Sequence, residues 1–259
     1  MTFNNTLPQT AIQKEIQALV CQILGNIPAM FAPNELAFYT LEGKNETQVR
    51  DRFAWMLQNA LDQSYPGQYI VRKEWSAWGS GREKVDIAVL SVGADITQID
   101  GMEVVALIEF KAHSFLNKEQ WPYAEFGKDV AKMYDMTKVQ SVEKCENADL
   151  YFIYLQSSFD HMIIDYPSAV NYPKIFNADS TVYHTHKDYL TKTAAYWAPF
   201  FAAGDFPVKT TKHYPTQHHI EYAAGTSHTA PTPAKQNMGK AFGYDGVILP
   251  MIWGPYKVC

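Results

Sequence analysis

The sequence predicts a mixed α/β (α+β) fold in which helices flank a mixed central sheet. The spacing of apolar residues is first helical, then strand-like through three segments, then helical again, and finally strand-like. Hydrophobic residues make up 47% and charged residues 19% of the 259 residues, which is enough apolar material for a buried core and too much for a disordered chain. Helices and strands that alternate around such a core favour a sheet with helices packed against it.

Two helices are predicted in the first third of the chain. Apolar residues recur at helical spacing over Thr10–Leu24, and Gly25 ends this helix. A loop that contains Pro33 follows. The second helix begins near Asn45, a favoured N-cap residue, with the acidic Glu46 in the first turn, where the helix dipole stabilises negative charge.

Three strands come next, over Gln68–Trp78, around Asp86, and over the apolar segment that ends at Lys111. A glycine-bounded loop, Gly93–Gly101, separates the second strand from the third. One further helix and one buried strand are then predicted, over Phe126–Val139 and Leu150–Leu155.

The periodicity weakens after Asp160, where prolines, histidines and aromatic residues dominate. One helix and two strands are predicted there, over Asp188–Phe201, His218–Ala223 and Tyr244–Trp253, with a polar loop over Thr226–Asn237. We therefore divide the chain into an N-terminal helical segment (1–41), a core (42–160) and a C-terminal extension (161–259) packed on the core. The extension would serve recognition, activation or dimerisation.

Bulk composition excludes several classes of protein. The formal net charge of −5 argues against a protein that passively coats nucleic acid. The three cysteines, Cys21, Cys145 and Cys259, are too few and too far apart for a disulfide framework or a thiolate zinc site. No secretory signal is recognisable, and no apolar stretch approaches the ~18 residues of a membrane helix. We expect a soluble, cytoplasmic protein without a membrane partner.

Three charged residues stand in apolar strands, and they are the most informative feature of the sequence. Side chains alternate along a strand, so Glu109 and Lys111 share one face while Phe110 points to the other. If the second and third strands pair as a hairpin, Asp86 comes alongside that face. Charges are rarely placed in apolar strands unless they are paired or bind a metal. The pattern therefore indicates a metal site suited to phosphodiester hydrolysis.

Such a site needs only a few protein oxygens, because Mg²⁺ retains several of its waters. The carboxylates of Asp86 and Glu109, the backbone carbonyl of Phe110 and one further acid would suffice, and Glu46 can complete the set. Lys111 would then stabilise the transition state and position or activate the attacking water.

The arrangement resembles the PD-(D/E)xK nuclease superfamily, which has the restriction-endonuclease-like fold. The family pattern is a helix with a Glu, a strand with an Asp, a strand with Glu-x-Lys, a helix and a further strand. Here these elements contain Asn45-Glu46, Val85-Asp86 and Glu109-Phe110-Lys111, and Lys128-Asp129 in the next helix resembles the polar positions near the family's site. Val85 replaces the family's Pro, the hairpin between Asp86 and Glu109 is longer than in compact members, and Glu42 competes with Glu46 for its role.

The resemblance covers roughly residues 42 to 156 and implies a Mg²⁺-dependent endodeoxyribonuclease, with Mn²⁺ as a substitute. It suggests DNA as the substrate, a role in restriction or phage defence, and a homodimer, since cutting both strands with one site per chain generally requires two chains. Basic residues near the site could follow a phosphate backbone. The candidate nucleic-acid contacts are Arg72, Lys73, Arg82, Lys84, His113 and Lys128, and Lys118 and Lys132 add positive charge nearby.

Three alternatives compete with this interpretation. Lys111 could simply form an ion pair with Glu109 or Asp86 at a strand end. The fold could also persist as a catalytically silent binding or regulatory module, because fold does not determine function. A third possibility is a zinc hydrolase centred on His184 and His186, which would lie on one face of a strand.

Overall fold

The computed structural model describes residues 9–41, 45–76, 84–92, 102–114, 129, 132, 147–159, 220–222, 234–241 and 244–258. Within these ranges the chain forms α-helices, one short 3-10 helix and a single seven-stranded sheet, which confirms the predicted mixed α/β class. The helices are α1 (Ala11–Leu24), the 3-10 helix (Ile27–Met30), α2 (Glu35–Leu41) and α3 (Asn45–Ser64). The strands are β1 (Tyr69–Trp75), β2 (Val85–Ser91), β3 (Glu103–Ser114), β4 (Asp149–Phe159), β5 (Ile220–Tyr222), β6 (Gln236–Ala241) and β7 (Tyr244–Val258).

The sheet is mixed, with strand order β1-β2-β3-β4-β7-β5, and β6 pairs with β7 as well. The pairs β1–β2 and β2–β3 are antiparallel, β3–β4 is parallel, and β7 runs antiparallel to β4, β5 and β6. Parallel neighbours require a crossover connection, which is usually helical. Asp129 and Lys132, which lie between β3 and β4 in the sequence, both have helical backbone conformation.

Both faces of the central strands are buried, which explains why β3 and β4 are almost continuously apolar. On one face, α1 and α3 join the core with Ile108, Phe110 and Tyr151. The rings of Phe53 on α3 and Phe110 on β3 meet edge to face, with centroids 5.2 Å apart. On the opposite face Leu107, Phe152 and Trp253 are fully buried. Charged residues on these strands therefore stand in an apolar setting.

Several predicted elements have different bounds in the structure. The segment after Pro33 was expected to be a loop, yet Glu35–Leu41 is a helix. Asn45 is the first helical residue, and its side chain donates to Ser157 Oγ at 3.1 Å. Gln236 and Asn237, expected in a loop, begin β6. The predicted helix Asp188–Phe201 lies outside the described residues.

A long-range contact explains why α2 and β6 escaped prediction. Asn34 Oδ1 accepts a hydrogen bond of 2.7 Å from the backbone N–H of Lys240, so residues 206 positions apart stabilise each other. Thr40 Oγ1 on α2 also contacts Met238 Sδ on β6, at 3.4 Å. Local spacing carries no information about such contacts. β7 lies beside β4, so this C-terminal strand belongs to the same sheet as the core strands.

None of the helices that the structure describes combines the length and the apolarity that crossing a membrane requires.

Candidate active site

The two strands that carry the predicted acids separate where those acids stand. Backbone pairing between β2 and β3 runs from Ser91 opposite Glu103 to Ile87 opposite Ile108. At the next position Asp86 Oδ2 accepts a 2.7 Å hydrogen bond from the backbone N–H of Phe110. The backbone N–H of Asp86 donates in turn to Glu109 Oε2 at 3.3 Å. Carboxylates thus take the place of backbone carbonyls, and both acids are held at this end of the sheet.

Helix α3 brings Glu46 to the same end. Glu46 Oε2 accepts a 2.6 Å hydrogen bond from the backbone N–H of Ala112, which directly follows Lys111 on β3. The bond between Asn45 and Ser157 anchors the start of the helix to β4. Burial raises the pKa of Glu46, although the Ala112 amide and the charge of Lys111 both act to lower it. All four residues that the sequence analysis assigned to catalysis therefore meet at one place.

Lys111 and a second lysine form a charge-alternating quartet with two buried acids. Lys111 Nζ lies 3.3 Å from Glu109 Oε1 and 3.1 Å from Asp129 Oδ2. Lys132 Nζ lies 2.7 Å from the same oxygen of Glu109 and 3.3 Å from Asp129 Oδ1. Only 3% of Glu109 and 7% of Asp129 is exposed, so the quartet is largely shielded from water. Asp129 and Lys132 are three residues apart on a predicted helix, and from this spacing the sequence alone could have predicted that they form an ion pair.

Arg50 is a functional candidate that the sequence analysis did not single out. Its Nη1 lies 3.1 Å from Asp86 Oδ1 and contacts Glu74 Oε1, while its Nε lies 3.3 Å from Asp51 Oδ1. Arg50 follows Glu46 by four residues on α3, so both side chains lie on one face of the helix. The four-residue spacing shows from the sequence that Arg50 shares a helix face with Glu46. It does not show which residues that face contacts.

Negative charge exceeds positive charge in this cluster. The carboxylates of Glu46, Asp86, Glu109 and Asp129 face the cations Arg50, Lys111 and Lys132, which leaves one carboxylate without a matching cation. Burial, reinforced by the charges of Asp129 and Asp86, raises the pKa of Glu109 to about 8 despite both lysines. Burial alone would lower the pKa of Lys111, but Asp129 and Glu109 outweigh it and raise that pKa, so the amine is charged.

The chemistry of the donors fits a hard divalent cation. Carboxylate oxygens of Asp86, Glu109 and Glu46, together with the backbone carbonyl of Phe110, are the ligand types that Mg²⁺ and Mn²⁺ prefer. Among the described residues, however, no three His, Cys, Asp or Glu side chains are already arranged around a common metal position. The carboxylates instead bind amides and side-chain cations, so a metal ion would have to exchange with some of these partners.

The predicted nucleic-acid contacts are only partly described. Arg72, Lys73 and Lys84 are exposed at and near β1 and β2, and Lys73 Nζ pairs with Asp51 Oδ2 at 2.9 Å. His113 lies on β3, although only its backbone is described. The remaining predicted residues lie outside the described part of the chain: Arg82, Lys118, Lys128, the alternative acid Glu42, and the histidines His184 and His186.

Comparison of the chain with protein-family models, with curated proteins and with solved structures found no match.

Proposed function

We propose that this protein is a divalent-metal-dependent nuclease with a restriction-endonuclease-like core. The observation that carries the proposal is the meeting of Asp86, Glu109, Lys111 and Glu46, which come from three separate elements, at the open end of β2 and β3. An isolated surface ion pair would explain Lys111 and Glu109. It would not explain why two more half-buried carboxylates, those of Asp86 and Glu46, accept hydrogen bonds from neighbouring backbone amides.

The order of elements supports the same proposal. Helix α3, the antiparallel strands β1 to β3, the helical residues Asp129 and Lys132, and the strand β4 parallel to β3 follow one another as in the family pattern. The acidic residue lies in the first turn of the helix, and the Glu-x-Lys tripeptide lies near the end of the third strand.

Asp86, Glu109, Glu46 and the Phe110 carbonyl would hold Mg²⁺, and Mn²⁺ would substitute for it. When bound, the ion lowers the pKa of a coordinated water and offsets the negative charge of the phosphate. Ligation requires the ionised carboxylate, so Glu109 must release its proton as the site fills. The burial of Glu109 reduces solvent screening and so strengthens its interactions with Lys111 and Lys132.

Lys111 acts as a fixed positive charge in this mechanism. Its pKa is raised by two neighbouring carboxylates, so it does not take a proton from water near neutral pH. Its contacts with Glu109 and Asp129 hold the ammonium beside the metal ligands, where it can orient the attacking water and stabilise the developing charge on the phosphate. Lys132 makes the same two contacts and supports this arrangement.

We further propose that the substrate is DNA and that the protein works in restriction or phage defence as a homodimer. Exposed Arg72, which is opposite Ala88 of β2, and exposed Lys84, which directly precedes β2, supply local positive charge on a chain with an overall net charge of −5. Such residues bind the phosphate backbone without reading sequence.

The test is cleavage of supercoiled and linear DNA by the wild-type chain with Mg²⁺, Mn²⁺, Zn²⁺ or EDTA. The proposal predicts cutting with Mg²⁺ or Mn²⁺ and none with EDTA, and discrete fragments would identify a sequence-specific enzyme. Cutting supported by Zn²⁺ alone would favour a histidine-zinc hydrolase instead. DNA binding without cutting under every metal would favour a silent binding module, and the nuclease proposal would be wrong.

A further inference from the structure

Both carboxylate oxygens of Asp86 are already bound in the described structure. Oδ2 accepts the backbone N–H of Phe110, and Oδ1 lies 3.1 Å from Arg50 Nη1. The Phe110 bond holds the side chain in place and leaves Oδ1 as the oxygen that faces a cation. That oxygen is occupied by a guanidinium whose side chain is only 14% exposed. A charge-assisted bond shielded in this way is stronger than an exposed one.

Arg50 also has two other acceptors. It contacts Glu74, whose side chain is 49% exposed, and Asp51, which is 37% exposed. The guanidinium carries five N–H donors, so it can keep these two partners when it loses the third. Arg50 can therefore remain paired with Glu74 and Asp51 if another cation binds Oδ1 of Asp86.

The backbone at Glu74 supports a specific role for this contact. Glu74 stands opposite Asp86, between the pairs Lys73–Ile87 and Trp75–Val85. Its φ of 50° is in the left-handed region, which is unfavourable for a residue with a Cβ and uncommon inside a strand. Such strain persists where the surrounding structure demands it, often at functional sites. Here the residue with the strained backbone, Glu74, supplies a second carboxylate beside the Arg50–Asp86 pair.

We propose that Arg50 is the internal counter-cation of Asp86, and that a divalent cation displaces it from Oδ1 onto Glu74 and Asp51. This inference rests on the proposed metal site. In the metal-free protein Arg50 neutralises Asp86 and keeps it oriented, and in the metal-bound protein the same charge remains at the edge of the site. Arg50 is thus a positioning residue that sets the affinity for the metal.

The first experiment measures Mn²⁺ binding without substrate, from the electron paramagnetic resonance signal of the free ion, and Mg²⁺ binding by calorimetry. Arg50→Gln removes the competitor, so its Kd should be at least about tenfold lower than that of the wild type, as expected for one lost charge-assisted hydrogen bond. Arg52→Gln is the matched control, because Arg52 carries the same charge on the same helix and pairs with Glu35. Its Kd should stay within about twofold of the wild type.

A second measurement avoids any dependence on the folding of a variant. The Nε–H resonance of Arg50 in the wild-type chain should shift as Mg²⁺ is added. The Nε–H resonance of Arg52, which lies on the same helix and pairs with Glu35 on α2, should not shift. If the wild type binds metal but Arg50→Gln binds no more tightly, or if both variants tighten equally, Arg50 does not compete and the inference is wrong while the metal site stands. If neither the wild type nor Arg50→Gln binds Mg²⁺ or Mn²⁺, both proposals fail. Binding by Arg50→Gln alone would support the inference.

Discussion

Replacing Glu109 by glutamine should stabilise the metal-free protein. Burial and the neighbouring acids raise the pKa of Glu109 to about 8, from the ordinary 4.5 of a glutamate. Between these values the folded chain keeps a proton that the unfolded chain has released. Stability therefore falls as pH rises through this window and levels off above about pH 8. A pKa difference of about 3.5 corresponds to an upper limit of about 5 kcal/mol.

The measurable gain will be smaller than this limit, because Glu109→Gln also removes the carboxylate that Lys111 and Lys132 share. Asp129 remains as their partner, so we expect a net stabilisation of about 1–3 kcal/mol at about pH 8, close to zero at about pH 5. The assay is urea unfolding in EDTA across this pH range. Glu103→Gln, an exposed position on the same strand, serves as the control.

The dependence on pH is what separates this explanation from a general packing effect. A difference in unfolding free energy that does not change with pH, or a Gln variant less stable than the wild type at about pH 8, would refute the reasoning. Added Mg²⁺ should stabilise the wild type and not Glu109→Gln, because the ionised carboxylate is a proposed ligand. A residue that costs stability and is required for binding is typical of functional sites.

Two further predictions concern residues away from the site. Gly239→Ala should lower the unfolding free energy by about 2 kcal/mol or more, because φ is +90° and a Cβ would lie 2.6 Å from Asn34 Oδ1. Gly67 has a similar φ of +70°, but a Cβ there would have no atom within 4 Å, so Gly67→Ala should cost about 1 kcal/mol. Equal losses in urea unfolding would contradict this. Burial raises the pKa of the Cys21 thiol, so iodoacetamide should label Cys21 much more slowly in the folded than in the unfolded protein. Mass spectrometry of the Cys21 peptide measures both rates, and equal rates would refute this prediction.

Sequence periodicity was sufficient for the elements whose stability depends on their own apolar faces. The helical spacing predicts α1 and α3, because each helix buries one face. The apolar segments predict β2, β3 and β4, because the central strands are buried on both faces. The short α2 and β6 each bury only two apolar residues in the core, Leu36 and Ala37 on α2 and Met238 and Ala241 on β6, too few to set a recognisable period. They depend on each other through Asn34 and Lys240, which are far apart in the sequence.

The candidate site was predictable to the extent that strand alternation governs it. Alternation places Glu109 and Lys111 on one face, and the antiparallel hairpin brings Asp86 beside them. Helix α3 reaches this end of the sheet because it packs on β1, β2 and β3, and no local pattern in the sequence encodes that packing. For that reason Arg50 was missed. Glu46 was proposed as a further metal ligand from its place in the first turn of the helix, but its contact with Ala112 could not be foreseen.

The central claim is tested most directly by the rate at which Lys111→Ala nicks supercoiled plasmid in Mn²⁺, measured beside the wild type and beside Lys240→Ala. Lys240 is an exposed lysine on β6 that pairs with Asp245, so its loss should leave the rate unchanged. Because Lys111 is proposed to stabilise charge on the phosphate, Lys111→Ala should lower the rate by about 100-fold or more, with the circular dichroism spectrum of the folded chain retained. Equal rates for a folded Lys111→Ala and the wild type would contradict the account.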